Sequence, residues 1–394
     1  MRLLRLAALV VALTGLIIIG RPYVHGLSFV VRAAEMPGAV RRLADLDTVD
    51  VRAHDVAIPT ARGSMRARVY SPSGASARAS LLVSGLHASG IDEPRLVRLA
   101  RQLAASHVAV VTPDIPQLSR FEITPEITDL IERSAVWLAK DSGLAPDRKV
   151  GLMGISFSGG LSIVAAARPS LAGVVSTVFA FGGHDDLPRV LRYLCTGQEP
   201  FPPGRLRLTP DAADQPFTRP PRDYGVAVIL LGVANRVVPP AQVDPLRAAV
   251  RQYLRASALE GGVDKAAAGA ALDAVRVVAG TLPEPSRTLM RYVVNRDVAH
   301  LGVRLLPYVG TDSSDPGLSL SRSPKPSAPV FLLHGPEDNV IPPVESEYLV
   351  DDLRGHAPVR LLLTGLISHD KADRPVRVGD VMQLASFWGD LLSR

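Results

Sequence analysis

The stretch GLMGISFSGG, residues 151–160, decides the fold. Its first residues complete a predicted strand at 149–153, and an apolar, glycine-rich helix is predicted to begin near Ser158. Ser156 therefore stands at a tight strand-to-helix turn, with Gly154 two residues before it and Ser158 two residues after it. Much larger side chains at these two positions would clash with the neighbouring strand or helix, so the pattern predicts a strained turn that presents a serine hydroxyl.

Two serines of this stretch are candidate nucleophiles. Ser156 is favoured because it lies one residue past the corner of the turn. Ser158 falls where the helix begins, a position that suits an N-cap or first-turn hydroxyl. The backbone N–H of Phe157 lies at the same helix N-terminus, where it can stabilise a developing negative charge, and it is predicted as one donor of an oxyanion hole.

Outward from this turn, short β-branched runs alternate with helical patterns. Residues 80–84 and 108–112 predict buried strands with a helix between them, and residues 124–143 predict a further helix. The other predicted strands are 51–58, 65–70, 174–180, 329–333 and 359–364, and a closing helix is predicted at 378–392. The alternation predicts the α/β class, with a mostly parallel, doubly wound sheet.

Residues 187–328 do not fit this alternation. The span is far longer than an ordinary connection between neighbouring elements, so it must carry structure of its own. It opens with a proline-rich stretch, continues with three helical patterns and ends in a Ser/Pro/Gly tract. We therefore expect a largely helical cap insert, with a catalytic domain made of residues 51–186 and 329–394.

Two later segments offer partners for the serine. The stretch HGPEDNVIP, residues 334–342, directly follows the apolar run PVFLL and contains Asp338. His369 follows the predicted strand 359–364 and lies in a loop. An imidazole can accept the serine proton near neutral pH, and a carboxylate can hold that imidazole in one tautomer. The chain order is serine, aspartate, histidine.

Together these motifs resemble those of the α/β-hydrolase superfamily, in its serine esterase and lipase-like branch with an inserted cap. The resemblance implies Ser156 as nucleophile, Asp338 as acid and His369 as base. It also implies a second oxyanion donor, the backbone N–H of Leu86 in the loop SGLHASG, residues 84–90, where the fold usually carries a His-Gly pair and this chain has Ser84 in place of that histidine. His87 either lines the pocket or hydrogen-bonds within the loop.

The implied activity is cleavage of a carboxylic ester, or a related acyl compound, through an acyl-enzyme. No cofactor is needed, and the partner is a small-molecule acyl substrate. Thioester, amide and peptide substrates stay open. Two alternatives remain: a catalytically silent, membrane-tethered binding module, and an acyltransferase on the same fold.

The cluster His184-Asp185-Asp186 offers an alternative acid, because some members of the superfamily carry the acid after the preceding strand. Either Asp185 or Asp186 would then replace Asp338. The same cluster could be considered for a metal, but no second ligand pair with metal spacing accompanies it, so no metal site is predicted. Cys195 is the single cysteine, which excludes an intrachain disulfide, and no motif surrounds it.

The N-terminus predicts a membrane segment. Arg2 and Arg5 precede an apolar run at residues 6–20, and Arg21 and Pro22 close it. We interpret residues 1–22 as a signal anchor that crosses the membrane and leaves the catalytic domain exported, followed by a linker at residues 23–50. A cleaved signal peptide and a secreted protein are the alternative. A membrane segment combined with an apolar cap favours a lipophilic substrate.

The overall charge argues against nucleic acid as a partner. The 394 residues carry 44 Lys and Arg against 38 Asp and Glu, a net charge of +6. This small excess is spread along the chain, and aromatic residues make up only 5%. A basic patch with interleaved aromatic residues, which nucleic-acid binding would require, is therefore not predicted.

Overall fold

The computed structural model describes residues 20–74, 76, 78–203, 219–260, 264–310, 313–366 and 377–394. Its strands are β1 (Val51–Thr60), β2 (Gly63–Pro72), β3 (Arg78–Val83), β4 (Val108–Pro113), β5 (Val150–Ile155), β6 (Val175–Phe181), β7 (Val330–His334) and β8 (Val359–Leu363). Within the described residues these eight strands form one sheet, in the order β1-β2-β4-β3-β5-β6-β7-β8. β2 is antiparallel to β1 and β4, and every other neighbouring pair is parallel. The mostly parallel α/β sheet predicted from the sequence is confirmed.

The helices occur between the strands and in one long insertion. They are α1 (residues 20–33), α2 (Ala39–Asp45), α3 (Pro94–Ala105), α4 (Pro116–Ser119), α5 (Glu126–Lys140), α6 (Phe157–Ala166), α7 (Leu187–Thr196), α8 (Asp223–Val237), α9 (Pro240–Leu259), α10 (Lys265–Thr281), α11 (Ser286–Val294), α12 (Val298–Leu305), α13 (Val344–Leu353) and α14 (Val378–Ser393). Helices α7 to α12 lie between β6 and β7, in the part of the chain for which a helical cap is predicted.

Both faces of the sheet are covered, which is why its parallel strands are almost continuously apolar. The residues of β4 and β7 are buried throughout. Helices α5 and α6 pack in one core with the insert that contains α7 to α12, which is called the cap from here on. Helices α1, α3 and α14 pack on the other face. Aromatic rings fill that second face: the ring centroids of Phe29 and Trp388 are 4.2 Å apart, and those of Phe179 and Trp388 are 5.2 Å apart. Because its faces are covered, the sheet offers the ends of its strands as the candidate place for a functional site.

The prediction of a linker at residues 23–50 is wrong. Helix α1 continues to residue 33, and α2 follows it. A Cβ at Gly26 would lie 1.9 Å from the carbonyl oxygen of Ala385, and one at Gly389 would lie 2.3 Å from that of Pro22. The two helix backbones therefore touch, and only glycine fits at their crossing. The sequence signal was missed because polar and charged residues, among them the buried Ser28 and Arg32, interrupt the apolar residues of α1.

The predicted membrane segment lies almost entirely outside the described residues, which begin at Gly20. Among the residues that the structure does describe, no helix combines the length and the apolar character needed to cross a membrane.

Candidate active site

Ser156 occupies a strained backbone position between β5 and α6. Its φ and ψ angles are 55° and −129°, in a region that residues with a Cβ seldom adopt. Its N–H donates to the carbonyl oxygen of Phe181 at 2.6 Å, and its carbonyl accepts from Gly159 at 2.8 Å. A Cβ at Gly154 would lie 2.2 Å from the carbonyl oxygen of Ser158. Glycine at position 154 is therefore a steric requirement of the turn.

Ser158, the alternative nucleophile, has a hydroxyl that serves the backbone. The residue is fully buried. Its Oγ lies 3.1 Å from the carbonyl oxygen of Val83 and 2.9 Å from that of Ile155, and it accepts the N–H of Ile155 at 3.1 Å. A hydroxyl so occupied ties β3 and β5 to the start of α6 and has no free direction toward a substrate.

The loop after β3 lies directly against the Ser156 turn. A Cβ at Gly85 would lie 3.4 Å from the Cβ of Ser156 and 3.3 Å from the carbonyl oxygen of Ile155. Leu86, the next residue, is half-buried at the same place. Phe157 is the first residue of α6, so its N–H has no partner within that helix. The two predicted oxyanion donors thus belong to segments on either side of Ser156.

Asp338 follows β7 at the same edge of the sheet. Its Oδ1 accepts the N–H groups of Val340 at 2.8 Å and Ile341 at 3.0 Å. Its Oδ2 points elsewhere: a Cβ built on Gly182 would lie 3.4 Å from this oxygen and 3.9 Å from the Cα of Ser156. The structure therefore brings Ser156 and Asp338, which are distant in the chain, to either side of Gly182.

The charge of Asp338 is set by opposing influences. Burial raises the pKa of its carboxyl group, but the His334 ring and the N–H groups of Val340 and Ile341 lower it more, so its pKa lies below the ordinary value. The side chain is 13% exposed. Asp338 is therefore ionised at neutral pH, the state in which a carboxylate can stabilise an imidazolium.

His334, the last residue of β7, contacts the loop that carries Asp338. Its ring is fully buried, with Nε2 3.0 Å from the carbonyl oxygen of Ile341 and 3.6 Å from Oδ2 of Asp338. Its Nδ1 lies 2.6 Å from Oγ of Ser346. A ring that donates from Nε2 to the carbonyl oxygen of Ile341 and accepts the Ser346 hydroxyl at Nδ1 satisfies both contacts. The ring thus fixes the loop between β7 and α13, residues 335–343 and here called the acid loop, to α13.

His369, the predicted base, lies outside the described residues. The last residues before the gap are placed beside the acid loop, because the N–H of Thr364 donates to the carbonyl oxygen of His334 at 3.0 Å. The chain therefore leaves β8 at the edge of the sheet where Asp338 lies.

The remaining candidates have partners of their own. His87 accepts the N–H of Ser89 at Nδ1, 3.2 Å away, and burial lowers the pKa of its ring. This contact matches the interpretation in which His87 hydrogen-bonds within its own loop. The ring of His184 stacks on Phe157 with centroids 4.9 Å apart, and its Nε2 lies 2.9 Å from the carbonyl oxygen of Leu318.

Asp185 and Asp186, the alternative acids, bond toward the cap. Asp186 caps α7 by accepting the N–H of Arg189 at 2.9 Å, and the Arg189 guanidinium donates to Asp185 at 3.0 Å. Arg189 also pairs with the buried Glu345 at 2.6 Å. Within the described ranges, no group of three or more His, Cys, Asp or Glu side chains is arranged to hold a metal ion. Cys195 is buried, and burial raises its pKa to about 12, so its thiol stays protonated.

Sequence reasoning missed two residues of the cap that contact the loops after β3 and β7. Tyr224 donates its phenolic hydroxyl to the carbonyl oxygen of Leu86 at 2.6 Å. Arg219 donates to the carbonyl oxygen of Pro336 at 2.8 Å. Neither lies in a motif, and the only local signal is the proline-rich composition around them.

The sheet order, the strained serine turn after β5 and the acid loop after β7 define an α/β-hydrolase fold. No protein-family model and no curated protein matches the sequence. Among solved structures, the chain is similar to the cell-wall-degrading esterase LipA of Xanthomonas oryzae, with 17% identity, a TM-score of 0.46 and coverage of 82% of this chain and 85% of that one.

Two further solved structures are similar to the chain. The thermostable carboxylesterase EstE1, cloned from a metagenomic library, shares 16% identity at a TM-score of 0.45, with 95% of this chain and 96% of that chain covered. A bacterial brefeldin A esterase shares 14% identity at 0.45, with 88% and 79% covered. Similarities of this size carry no argument about function, which has to be argued from the chain's own residues.

Proposed function

We propose that this chain is a serine hydrolase that cleaves a small-molecule carboxylic ester through an acyl-enzyme. The observation that carries the proposal is the strained position of Ser156, with Oδ2 of Asp338 just across Gly182. Strain of this kind persists only where the surrounding structure imposes it, and it is typical of functional residues.

In the proposed first half-reaction, Oγ of Ser156 attacks the acyl carbonyl carbon while His369 accepts the hydroxyl proton. The N–H groups of Leu86 and Phe157 would stabilise the oxyanion of the tetrahedral intermediate. His369 then returns the proton to the departing alkoxide, which leaves as the alcohol. Asp338, ionised at neutral pH, would stabilise the imidazolium and hold its tautomer.

In the second half-reaction, water attacks the acyl-enzyme and gives up its proton to His369. The carboxylic acid leaves, and the proton returns to Ser156. Every step uses side chains and backbone groups of this chain. The position of Thr364 beside His334 supports the role of His369, because the segment that carries it starts at the edge of the sheet where Asp338 lies.

A fluorophosphonate probe, which reacts covalently with activated serines, tests this proposal. We expect wild type and Ser158→Ala to be labelled and to hydrolyse p-nitrophenyl esters, and Ser156→Ala to be folded but unlabelled. A folded wild type that is neither labelled nor active would instead favour the catalytically silent binding module. Adding alcohol or amine acceptors and analysing the products separates hydrolysis from acyl transfer. A series of p-nitrophenyl esters of increasing chain length tests the preference for lipophilic substrates.

We also propose that residues 1–22 anchor the protein in a membrane with its catalytic domain exported. Because α1 packs closely on α14 from Pro22 onward, such an anchor would join the domain almost without a flexible linker. Membrane fractionation of the full chain, compared with a chain that starts at residue 20, tests this. Intact mass of the mature protein distinguishes the anchor from a cleaved signal peptide.

A further inference from the structure

Residues 219–224, here called the bridging segment, run from the cap to both loops that flank the candidate active site. The segment starts beside the end of α7, where the N–H of Arg219 donates to the carbonyl oxygen of Gly197 at 3.1 Å. Its last two residues are the first two residues of α8. A Cβ at Gly197 would lie 3.3 Å from Cδ of Pro221, so the segment is packed closely on the cap.

Two residues of the bridging segment, Arg219 and Arg222, contact the acid loop. The guanidinium of Arg219 donates to the carbonyl oxygen of Pro336 at 2.8 Å and lies 3.4 Å from that of Asp338. The N–H of Arg222 donates to the carbonyl oxygen of Asn339 at 2.9 Å. Arg219 is held in turn by Glu199, 2.7 Å away. Three residues of the acid loop, Pro336, Asp338 and Asn339, thus contact the bridging segment through their carbonyl oxygens.

At its other end the bridging segment contacts the loop after β3. The hydroxyl of Tyr224 lies 2.6 Å from the carbonyl oxygen of Leu86. Burial raises the pKa of this phenol, so it stays protonated and acts as the donor. The ring packs edge-on against Phe121 with centroids 5.9 Å apart. The phenol therefore fixes the peptide that follows Leu86, whose own N–H is the proposed oxyanion donor.

We propose that the bridging segment is a positioning device. Through it, the cap fixes the loop after β3 at Leu86 and the acid loop at Asp338 in the orientation that the reaction at Ser156 requires. Tyr224 and Arg219 are positioning residues, since they contact the loops through backbone carbonyl oxygens. The physical reason is that an oxyanion donor contributes only when it is already aimed at the developing charge, and a loop held by one strong hydrogen bond has fewer orientations to lose. This inference rests on the proposed serine-hydrolase function.

The test compares Tyr224→Phe with Tyr292→Phe. The second variant removes another phenolic hydroxyl of the cap. This hydroxyl lies 3.4 Å from the guanidinium of Arg304, and within the described residues it forms no hydrogen bond to either loop. We expect Tyr224→Phe to lower kcat for a p-nitrophenyl ester about tenfold, the loss of one well-placed hydrogen bond, with KM changed less than twofold. Tyr292→Phe should leave both constants within twofold of wild type.

Two further measurements distinguish positioning from general stability. A trifluoromethyl ketone forms a tetrahedral adduct whose oxyanion needs both donors, so its inhibition constant should rise in Tyr224→Phe by the factor by which kcat falls. Amide hydrogen exchange should increase in residues 84–90 of Tyr224→Phe while the global unfolding midpoint stays close to that of Tyr292→Phe. Arg219→Gln should increase exchange in residues 335–341 instead.

The outcomes separate this inference from the proposed function. An active wild type with unchanged kcat and unchanged loop exchange in Tyr224→Phe would overturn the inference and leave the hydrolase proposal standing. A folded wild type without labelling or activity would overturn both. A parallel fall in the unfolding midpoint of Tyr224→Phe, with KM rising as much as kcat falls, would reduce Tyr224 to a structural residue.

Discussion

The turn at Ser156 is built by its own neighbours in the chain. Gly154 and Ser158 let the backbone pass, and the Ser158 hydroxyl closes the turn on Ile155. The loop at Asp338 is built differently, because hydrogen bonds hold it, some of them from nearby residues and others from the cap. His334 fixes it from β7 and α13, and Arg219 reaches it from the cap, 117 residues from Pro336.

This contrast indicates where each part of the site is vulnerable. A turn held by local steric fit fails when an atom is added, whereas a loop held by hydrogen bonds fails when a partner is removed. Substitutions at the two places should therefore differ in kind: damage at the turn should appear in stability, and damage at the loop should appear mainly in catalysis.

The largest effect is expected for Asp338→Asn. The amide keeps the shape of the side chain but cannot stabilise an imidazolium or hold the productive tautomer, so kcat should fall about 10⁴-fold. Steady-state hydrolysis of a p-nitrophenyl ester measures this. Asp185→Asn is the matched control, because Asp185 is the alternative acid and should retain activity. Loss of activity in Asp185→Asn, with Asp338→Asn still active, would show that Asp185 is the acid in place of Asp338.

The next largest effect is expected for Gly154→Ala, which attacks the turn. Its Cβ would lie 2.2 Å from a backbone oxygen that no rotamer change can move, so the free energy of unfolding should fall by about 3 kcal/mol or more. Gly232→Ala is the control, since Gly232 lies in α8 with open space around its Cα. There the alanine should stabilise the helix by about 0.5–1 kcal/mol. Urea denaturation measures both changes.

The same contrast explains what the sequence could predict. The Ser156 turn and the strands around it depend on spacing and apolar runs, which a sequence displays directly, and the sheet came out as expected. Tyr224 and Arg219 depend on how the cap folds back over the strand ends, and no local pattern encodes that contact. Helix α1 was mistaken for a linker because the close approach of Gly26 to α14 involves residues more than 350 positions away.

A smaller effect is expected for Ser346→Ala, which removes one hydrogen-bonding support of the acid loop. His334 would lose its hydrogen bond at Nδ1 in a fully buried place, which costs about 1–2 kcal/mol of stability. Because the ring also contacts Asp338, kcat should fall severalfold. Ser134→Ala is the control: Ser134 is equally buried, but its hydroxyl only bonds back to Leu130 within α5. Removing such a bond should change stability little and activity not at all.

The smallest effect concerns the pH dependence of stability, and it uses Asp338→Asn again. The folded-state pKa of Asp338 lies below its ordinary value of about 4, so its ionised form stabilises the fold at every pH above that value. This contribution should be lost as the pH falls from about 4 through the lower folded-state pKa. Stability curves of wild type and Asp338→Asn should therefore converge on acidification and run parallel between pH 5 and 7. Divergence toward acid pH would mean that burial outweighs the His334 ring and the backbone N–H groups, so that the folded-state pKa of Asp338 lies above its ordinary value.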